Sequence, residues 1–347
     1  MKEKKITTLQ VAGTYIGTIV GAGFASGQEM LQFFVSFGKM GLWGLLVVTL
    51  LFIYFGYVIM ELGWKLKASS HLPVVKEVGG RFLGRFSDVI ITFFLFGALT
   101  AMIAGSGALF YQEFNIHPII GSVFMAFITV ITVIGGLQSI INSISFVVPF
   151  LILSAVGVSV ASVLTAPNDA EIAVSLPRSL FLRNWLWSAI VYTSYNTVTS
   201  ISILGPLGDK AKDRSVIRKG AILGGLGLGI GALAIFIALY INSDAVKNYE
   251  VPMILVARRI SPVVQVIYAI VLIAEIYTTA VGDLYGFAAR LCNMNTKRAA
   301  LVIIGSTIIA FLCSMAGFSN LVKYLYPAVG YCGVITLICI IYNRYKT

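Results

Sequence analysis

The chain has 347 residues, of which 58% are hydrophobic and 11% charged, with a formal net charge of +11 at neutral pH. Soluble domains carry about 25% charged residues because something has to face water, so a soluble globular fold is excluded and lipid must solvate the chain. The basic residues lie between apolar runs and not on one patch, which favours loop charges that orient a membrane protein over a nucleic-acid surface.

In chain order, apolar runs fall at Leu9–Phe34, Gly41–Met60, Val89–Phe110, Ile119–Gly135 and Ile144–Leu164. A second set follows at Trp185–Leu204, Ala221–Ile241, Val263–Phe287, Ala299–Met315 and Leu321–Tyr342. A transmembrane helix needs ~20 mostly apolar residues, so ten spans with short loops fit the length. The fourth and ninth runs are short and are expected to be less tilted or buried among neighbours. The first run is too long for a signal-peptide core and lacks a small-residue cleavage site, which makes it a retained span.

With a cytoplasmic N-terminus, 18 of the 25 Lys and Arg fall on the inside, so both termini are expected in the cytoplasm of a cell-membrane protein. The four cysteines form no CxxC or Cys/His cluster, and His71 and His117 stand alone. Neither a resident metal site nor a disulfide framework is supported.

Residues 1–164 and 185–347 hold five runs each, and their punctuation repeats. Pro252 follows Pro73 by 179 residues, Pro327 follows Pro149 by 178, and Thr278 follows Thr100 by 178. Pro73 and Pro252 each open a short amphipathic stretch between the second and third runs of their half. An odd number of spans per half inverts the second half relative to the first, a layout found in many secondary transporters. The expected fold is therefore all-α and membrane-embedded, one domain of ten helices in a 5+5 inverted repeat.

The first run is rich in glycine, with Gly13, Gly17, Gly21, Gly23 and Gly27 followed by Gln28 and Glu29. The sixth holds a polar stretch, Tyr192 to Ser200, at the matching position. Both helices are expected to be interrupted near mid-span, where free backbone is tolerated only inside protein or beside a wet cavity. Close helix packing is the plainer account of Gly17/Gly21 and Gly23/Gly27, and the only one offered for the Gly220–Gly231 cluster of the seventh run. A dinucleotide fingerprint fails, since no strand precedes Gly21-x-Gly23.

Charged residues inside spans are functional hypotheses by default. Glu29, Glu275 and Asp283 qualify, as proton carriers or, with nearby hydroxyls, as cation ligands. On a helical wheel Glu275, Thr279 and Gly282 share one face, flanked by Thr278 and Asp283, which gives the eighth span a polar stripe. Glu61, Asp88, Glu113 and Arg290 sit at span ends, where a solvated head group explains them. Tyr15, Tyr192 and Tyr195 read as packing or interfacial residues at least as readily as site residues.

The stretch Gly17-Thr-Ile-Val20-Gly21-Ala22-Gly23, with the 5+5 arrangement, resembles the LeuT-type fold of the amino acid–polyamine–organocation superfamily. The whole chain, with its Gly-Ala-Gly-Phe-Ala-Ser-Gly-Gln-Glu segment, resembles the YkvI-type bacterial membrane proteins. The resemblance implies that amides around Gly21, Ala22 and Gly23 receive a substrate carboxylate; Ser26, Tyr195, Asn196, Thr199 and Glu275 are further substrate candidates by their own polarity within the spans. It implies a Na⁺ site built from carbonyls of Gly17 and Val20 and hydroxyls of Thr278 and Thr279. Glu275 is not part of that sodium motif, and the fifth run has no Lys to replace the ion.

The function expected is secondary transport of a small amino-acid-like or organic-cation solute, coupled to Na⁺ or H⁺. The alternative is a solute-sensing receptor subunit on the same scaffold, as in spore-germinant receptors. The chain contains no HExxH, G-x-S-x-G elbow or P-loop, so neither an enzyme nor an ATP-driven pump is expected. Expected partners are a small solute and the bilayer, with no nucleic acid and no cofactor beyond a coupling ion.

Overall fold

In a computed structural model, residues 6–68, 71–135, 150, 153–165, 179–294 and 296–346 are described. They contain helices and no strand, apart from an isolated bridge between Ile6 and Ala211. Pro149 and much of the fifth run lie outside the described residues.

Capping chemistry sets the helix starts. Thr7 and Gln10 form a reciprocal capping box before α1 (Thr8–Ile19). Asn184 accepts from Trp187 N at 2.8 Å to open α8 (Trp185–Lys210), and Asp213 accepts from Val216 N at 2.9 Å to open α9 (Arg214–Ile241). Ser261 caps α12 (Pro262–Leu291), with Pro262 at the first helical position where its missing N–H costs nothing.

The first run divides into α1, α2 (Ala22–Ala25) and α3 (Gln28–Phe33). Then come α4 (Met40–Leu66), α5 (His71–Phe114), α6 (Pro118–Ile134) and α7 (Leu153–Leu164). After α8 and α9 follow α10 (Ser243–Val246), α11 (Pro252–Ile260), α12, α13 (Lys297–Ser314) and α14 (Phe318–Lys346). Gly80, at φ 66°, separates the amphipathic start of α5 from its apolar body. Pro252 opens the nine-residue α11, so both stretches assigned to Pro73 and Pro252 are present as short helical segments.

Among the described residues, five helices are long and apolar enough to cross a bilayer: Met40–Leu66, Gly84–Phe114, Arg214–Ile241, Pro262–Leu291 and Phe318–Arg344. Neither α6 nor α13 is buried among neighbours. Ile120, Phe127 and Ile131 of α6, and Leu301, Ile308 and Leu312 of α13, are exposed apolar side chains suited to lipid.

The helices pack in two groups. In one, α4 lies on α8 and α9, and α1 lies on α9. In the other, α5 contacts α6, α12 and α13. Helix α14 touches both groups through α8 and α5. The α4–α8 crossing brings backbones together, with Gly63 against the Gly205 carbonyl and Gly208 against that of Met60. The glycines of α9 serve packing, as expected: Gly224 faces the Tyr15 ring, Gly225 faces Ile53 and Gly229 faces Thr49.

The ends of α4, α8 and α12 and the start of α9 carry basic residues, among them Lys65, Lys210, Arg290 and Arg214. There Glu61, only 3% exposed, is paired with Arg214 of α9 and Arg344 of α14, so it is a buried acid and not a solvated head group. Arg290 pairs with Asp88.

Candidate functional site

The first run leaves helical geometry at Val20 (φ −74°, ψ 108°) and Gly21 (φ −127°, ψ −174°) before α2 begins. Gly27, in the left-handed region at φ 80°, turns the chain again into α3. The turn at Gly27 brings Glu29 of α3 against Gly23 of α2: a Cβ added to Gly23 would meet the Glu29 carboxyl carbon at 3.0 Å. Oε2 of Glu29 accepts from the Tyr195 hydroxyl at 2.6 Å and the Tyr192 hydroxyl at 3.1 Å, both on α8.

The sixth run is not interrupted. Helix α8 is continuous from Trp185 to Lys210, although Pro206 lies within it. Its polar side chains bond their own helix: Thr193 Oγ1 donates to Ala189 O at 2.9 Å, Asn196 Nδ2 to Tyr192 O at 3.0 Å and Thr199 Oγ1 to Tyr195 O at 3.0 Å. Hydroxyls satisfied one turn back need no unwound backbone, which is why the polar stretch stays helical.

A cavity of about 620 Å³ opens beside the break in the first run. Gly17, Val20, Gly21, Ala22, Gly23 and Glu29 line it on one side, and Tyr195, Asn196 and Thr199 of α8 on another. The α12 stripe of Glu275, Thr278, Thr279, Gly282 and Asp283 completes it. Ser26 is the exception among the candidate site residues. It is buried outside the lining, and its hydroxyl donates to Gly23 O at 2.9 Å and accepts from Gln28 N, so it holds the turn.

The Thr278 hydroxyl donates to Glu275 at 3.1 Å (backbone carbonyl) and 3.4 Å (Oε2), and the Thr279 hydroxyl to its Oε1 at 3.5 Å. Glu275 is 3% exposed. Oδ2 of Asp283 is buried and has no hydrogen-bond partner among the described residues. Tyr15 is a packing residue, donating to Phe52 O at 2.7 Å.

Phe94 and Tyr326 are among the lining residues that escape sequence reasoning. The rings of Phe94, Tyr195 and Tyr326 form a triangle with centroids 5.3–5.9 Å apart. Phe94 sits in an apolar run with no local signal. Tyr326 precedes Pro327, an intrahelical proline that marks the place.

Access is one-sided. Gly17, Thr18 and Ser202 are partly exposed and Ile203 is 45% exposed, whereas every residue from Ala22 to Ser36 is buried. The segment before α12 forms a lid over that buried stretch. Met253 N donates to Ser26 O at 3.0 Å, Val251 N to Gln112 Oε1 at 2.9 Å, and Phe318 N to Glu250 Oε2 at 3.0 Å. Tyr268 donates to Ala25 O at 2.5 Å. A larger cavity of about 710 Å³, lined by Tyr111, Asn115 and Tyr249 among others, shares no lining residue with the first.

No protein-family model matches the chain. It is 30% identical over 331 residues to the uncharacterized membrane protein YkvI of Bacillus subtilis (strain 168), covering 95% of this chain and 94% of that one. It is 26% identical to the uncharacterized protein YyaD of the same organism, covering 94% of both. Among solved structures, the inward-facing conformation of Mhp1 matches with a TM-score of 0.62 at 13% identity, over 94% of this chain and 74% of that one. MhsT in complex with L-phenylalanine matches with a TM-score of 0.62 at 14% identity, over 97% and 90%. The fold is thus that of the LeuT-type transporters, and by its likeness to YkvI over nearly its full length the chain belongs to the YkvI family of membrane proteins.

Proposed function

We propose that the chain is a secondary active transporter of a small amino-acid-like or organic-cation solute, coupled to Na⁺ or H⁺ and working by alternating access. The observation that supports this most is the cavity at the break in the first run, where extended backbone at Val20 and Gly21 meets three intramembrane carboxyl groups. Irregular backbone beside a midplane cavity is the hallmark of transporter sites in this type of fold. In this reading ten spans form two inverted repeats, 1–164 and 185–347. Gly21, Ala22, Gly23, Tyr195, Asn196, Thr199 and Glu275 surround the solute.

The coupling ion has two candidate seats. Thr278 and Thr279 donate their hydroxyl protons toward Glu275, which leaves their lone pairs free for a cation alongside carbonyls of Gly17 and Val20. Glu29, Glu275 and Asp283 are the candidates for a transported proton. With both termini cytoplasmic, as the Lys/Arg distribution favours, the partly exposed side of the cavity faces the cytoplasm. The conformation is then inward-facing, like that of the Mhp1 structure.

Purified protein in liposomes with an imposed Na⁺ or H⁺ gradient tests the reading. Uptake of at least one amino acid or amine should follow one gradient and collapse when it is dissipated. A panel of both solute classes that yields no gradient-driven flux would sink it.

A further inference from the structure

Glu29 fills the space beside Gly23 at the break in the first run and lines the cavity there. Its carboxyl carbon lies 3.0 Å and its Cγ 3.2 Å from the position a Cβ on Gly23 would take, so the group is pressed against the backbone of α2. Two tyrosine hydroxyls hold its other oxygen from the α8 side. Glu29 is 5% exposed.

The rest of the cavity has the same sign. Glu275 lines it at 3% exposure, and Asp283 contributes a buried oxygen with no hydrogen-bond partner among the described residues. Among the described residues Arg290 is the one basic group of the lining, and its guanidinium is engaged by Asp88 at the far end of α12. A carboxylate brought into this space would meet three acids and, among the described residues, no uncommitted cation. A buried carboxyl group keeps its charge only beside a cation, so each of these acids is favoured by an incoming ammonium and none by a second carboxylate.

The walls suit a cation in a second way. Phe94, Tyr195 and Tyr326 are in the lining, and an ammonium within ~6 Å of an aromatic ring face is attracted by its quadrupole. A cavity of about 620 Å³ is the size of a small-molecule site.

We propose that the solute is an organic amine with net positive charge and no carboxylate, and that Glu29 supplies from the protein the carboxylate an amino acid would otherwise bring. The inference rests on the transporter reading only for which cavity holds the solute. Three acids leave one partner for the ammonium and others for the coupling cation.

The test uses matched pairs that differ by the carboxylate: phenethylamine with phenylalanine, agmatine with arginine, and putrescine with ornithine. Binding to the purified full-length chain is measured by titration calorimetry at fixed Na⁺ and pH. In at least one pair the amine should bind tenfold or more tightly than its amino acid. Glu29→Gln should weaken that amine by roughly thirtyfold or more, the scale for removing one partner of a buried charge pair. Glu29→Gly vacates the space beside Gly23 and should shift the preference toward the amino acid, a gain that misfolding cannot produce.

The proposal is overturned if the amino acid binds as tightly as its amine in every pair, or if no member of any pair binds. It is also overturned if both Glu29 variants keep the wild-type preference. Amine binding without uptake in liposomes would remove the transporter reading and leave the amine site standing. Driven uptake of amino acids but not amines would do the reverse.

Discussion

The first run and the sixth both bring polar chemistry into the middle of an apolar chain, and they do so by different means. In the first run, glycine lets the backbone leave the helix at Gly21 and turn left-handed at Gly27, so main-chain groups and Glu29 reach the cavity. In the sixth, Thr193, Asn196 and Thr199 return their polar atoms to carbonyls of α8, and the helix runs on. Polarity alone does not break a membrane helix. Glycine at the right place does, provided that neighbouring elements satisfy what is freed.

That contrast can be broken or sharpened by substitution. The largest effect is expected at Gly27, where alanine would have to adopt φ 80° and place its Cβ 2.7 Å from Met253 and 3.0 Å from Leu239. The left-handed residue costs about 1–2 kcal/mol and overpacking about 1–3 more, so Gly27→Ala should lose roughly 2–5 kcal/mol. Thermal unfolding in detergent reads this; an unchanged midpoint would show that the second turn is not needed.

Next comes Tyr195→Phe, which leaves Glu29 with the longer of its two hydroxyl donors. The expected loss is about 1–3 kcal/mol in the same assay, with Tyr192→Phe costing less because its bond is 3.1 Å against 2.6 Å. Equal costs would mean that the pair acts as one unit. In the sixth run, Ser200→Ala removes a hydroxyl that donates only to Thr197 O within its own helix. Stability should change by less than about 1 kcal/mol, and circular dichroism should show unchanged helix content. Loss of helix there would overturn the account of why α8 is continuous.

The smallest effect is at Gly13, in α1, where a Cβ added to the backbone would have no atom within 4 Å. Gly13→Ala should stabilise by about 0.5–1 kcal/mol through helix propensity alone, raising the midpoint slightly. A fall would reveal a neighbour that approaches Gly13 in another conformation.

Much of this architecture is legible in the residues themselves. Apolar run lengths locate the five long apolar helices among the described residues, Pro252 marks the start of α11, and the 100° periodicity of α12 places Glu275, Thr278 and Thr279 on the cavity. Glu29 is legible as an intramembrane acid. Its contact with Gly23 and Tyr195 is not, because two successive backbone turns set it. Continuity of α8 is hidden for a related reason. A threonine that lines a cavity and one that bonds its own helix have the same letter, and Thr199 does both. Glu61 is misjudged because Arg344 lies 283 residues away, and only the fold brings them together.

The change from partly exposed to buried along the first run, which falls at Gly21, has a consequence for chemical labelling. None of the four cysteines is in the cavity lining, so thiol reagents can reach an introduced reporter there without a native competitor at the site. Cysteines placed singly along residues 17–26 should react with a polar maleimide at positions 17 and 18, which line the cavity, and fall silent beyond 21. The position at which labelling stops is then a ruler for the lid. If the lid releases Ser26, the silent stretch becomes reactive from its other end, and a sequence of single residues reports which side of the cavity is wet.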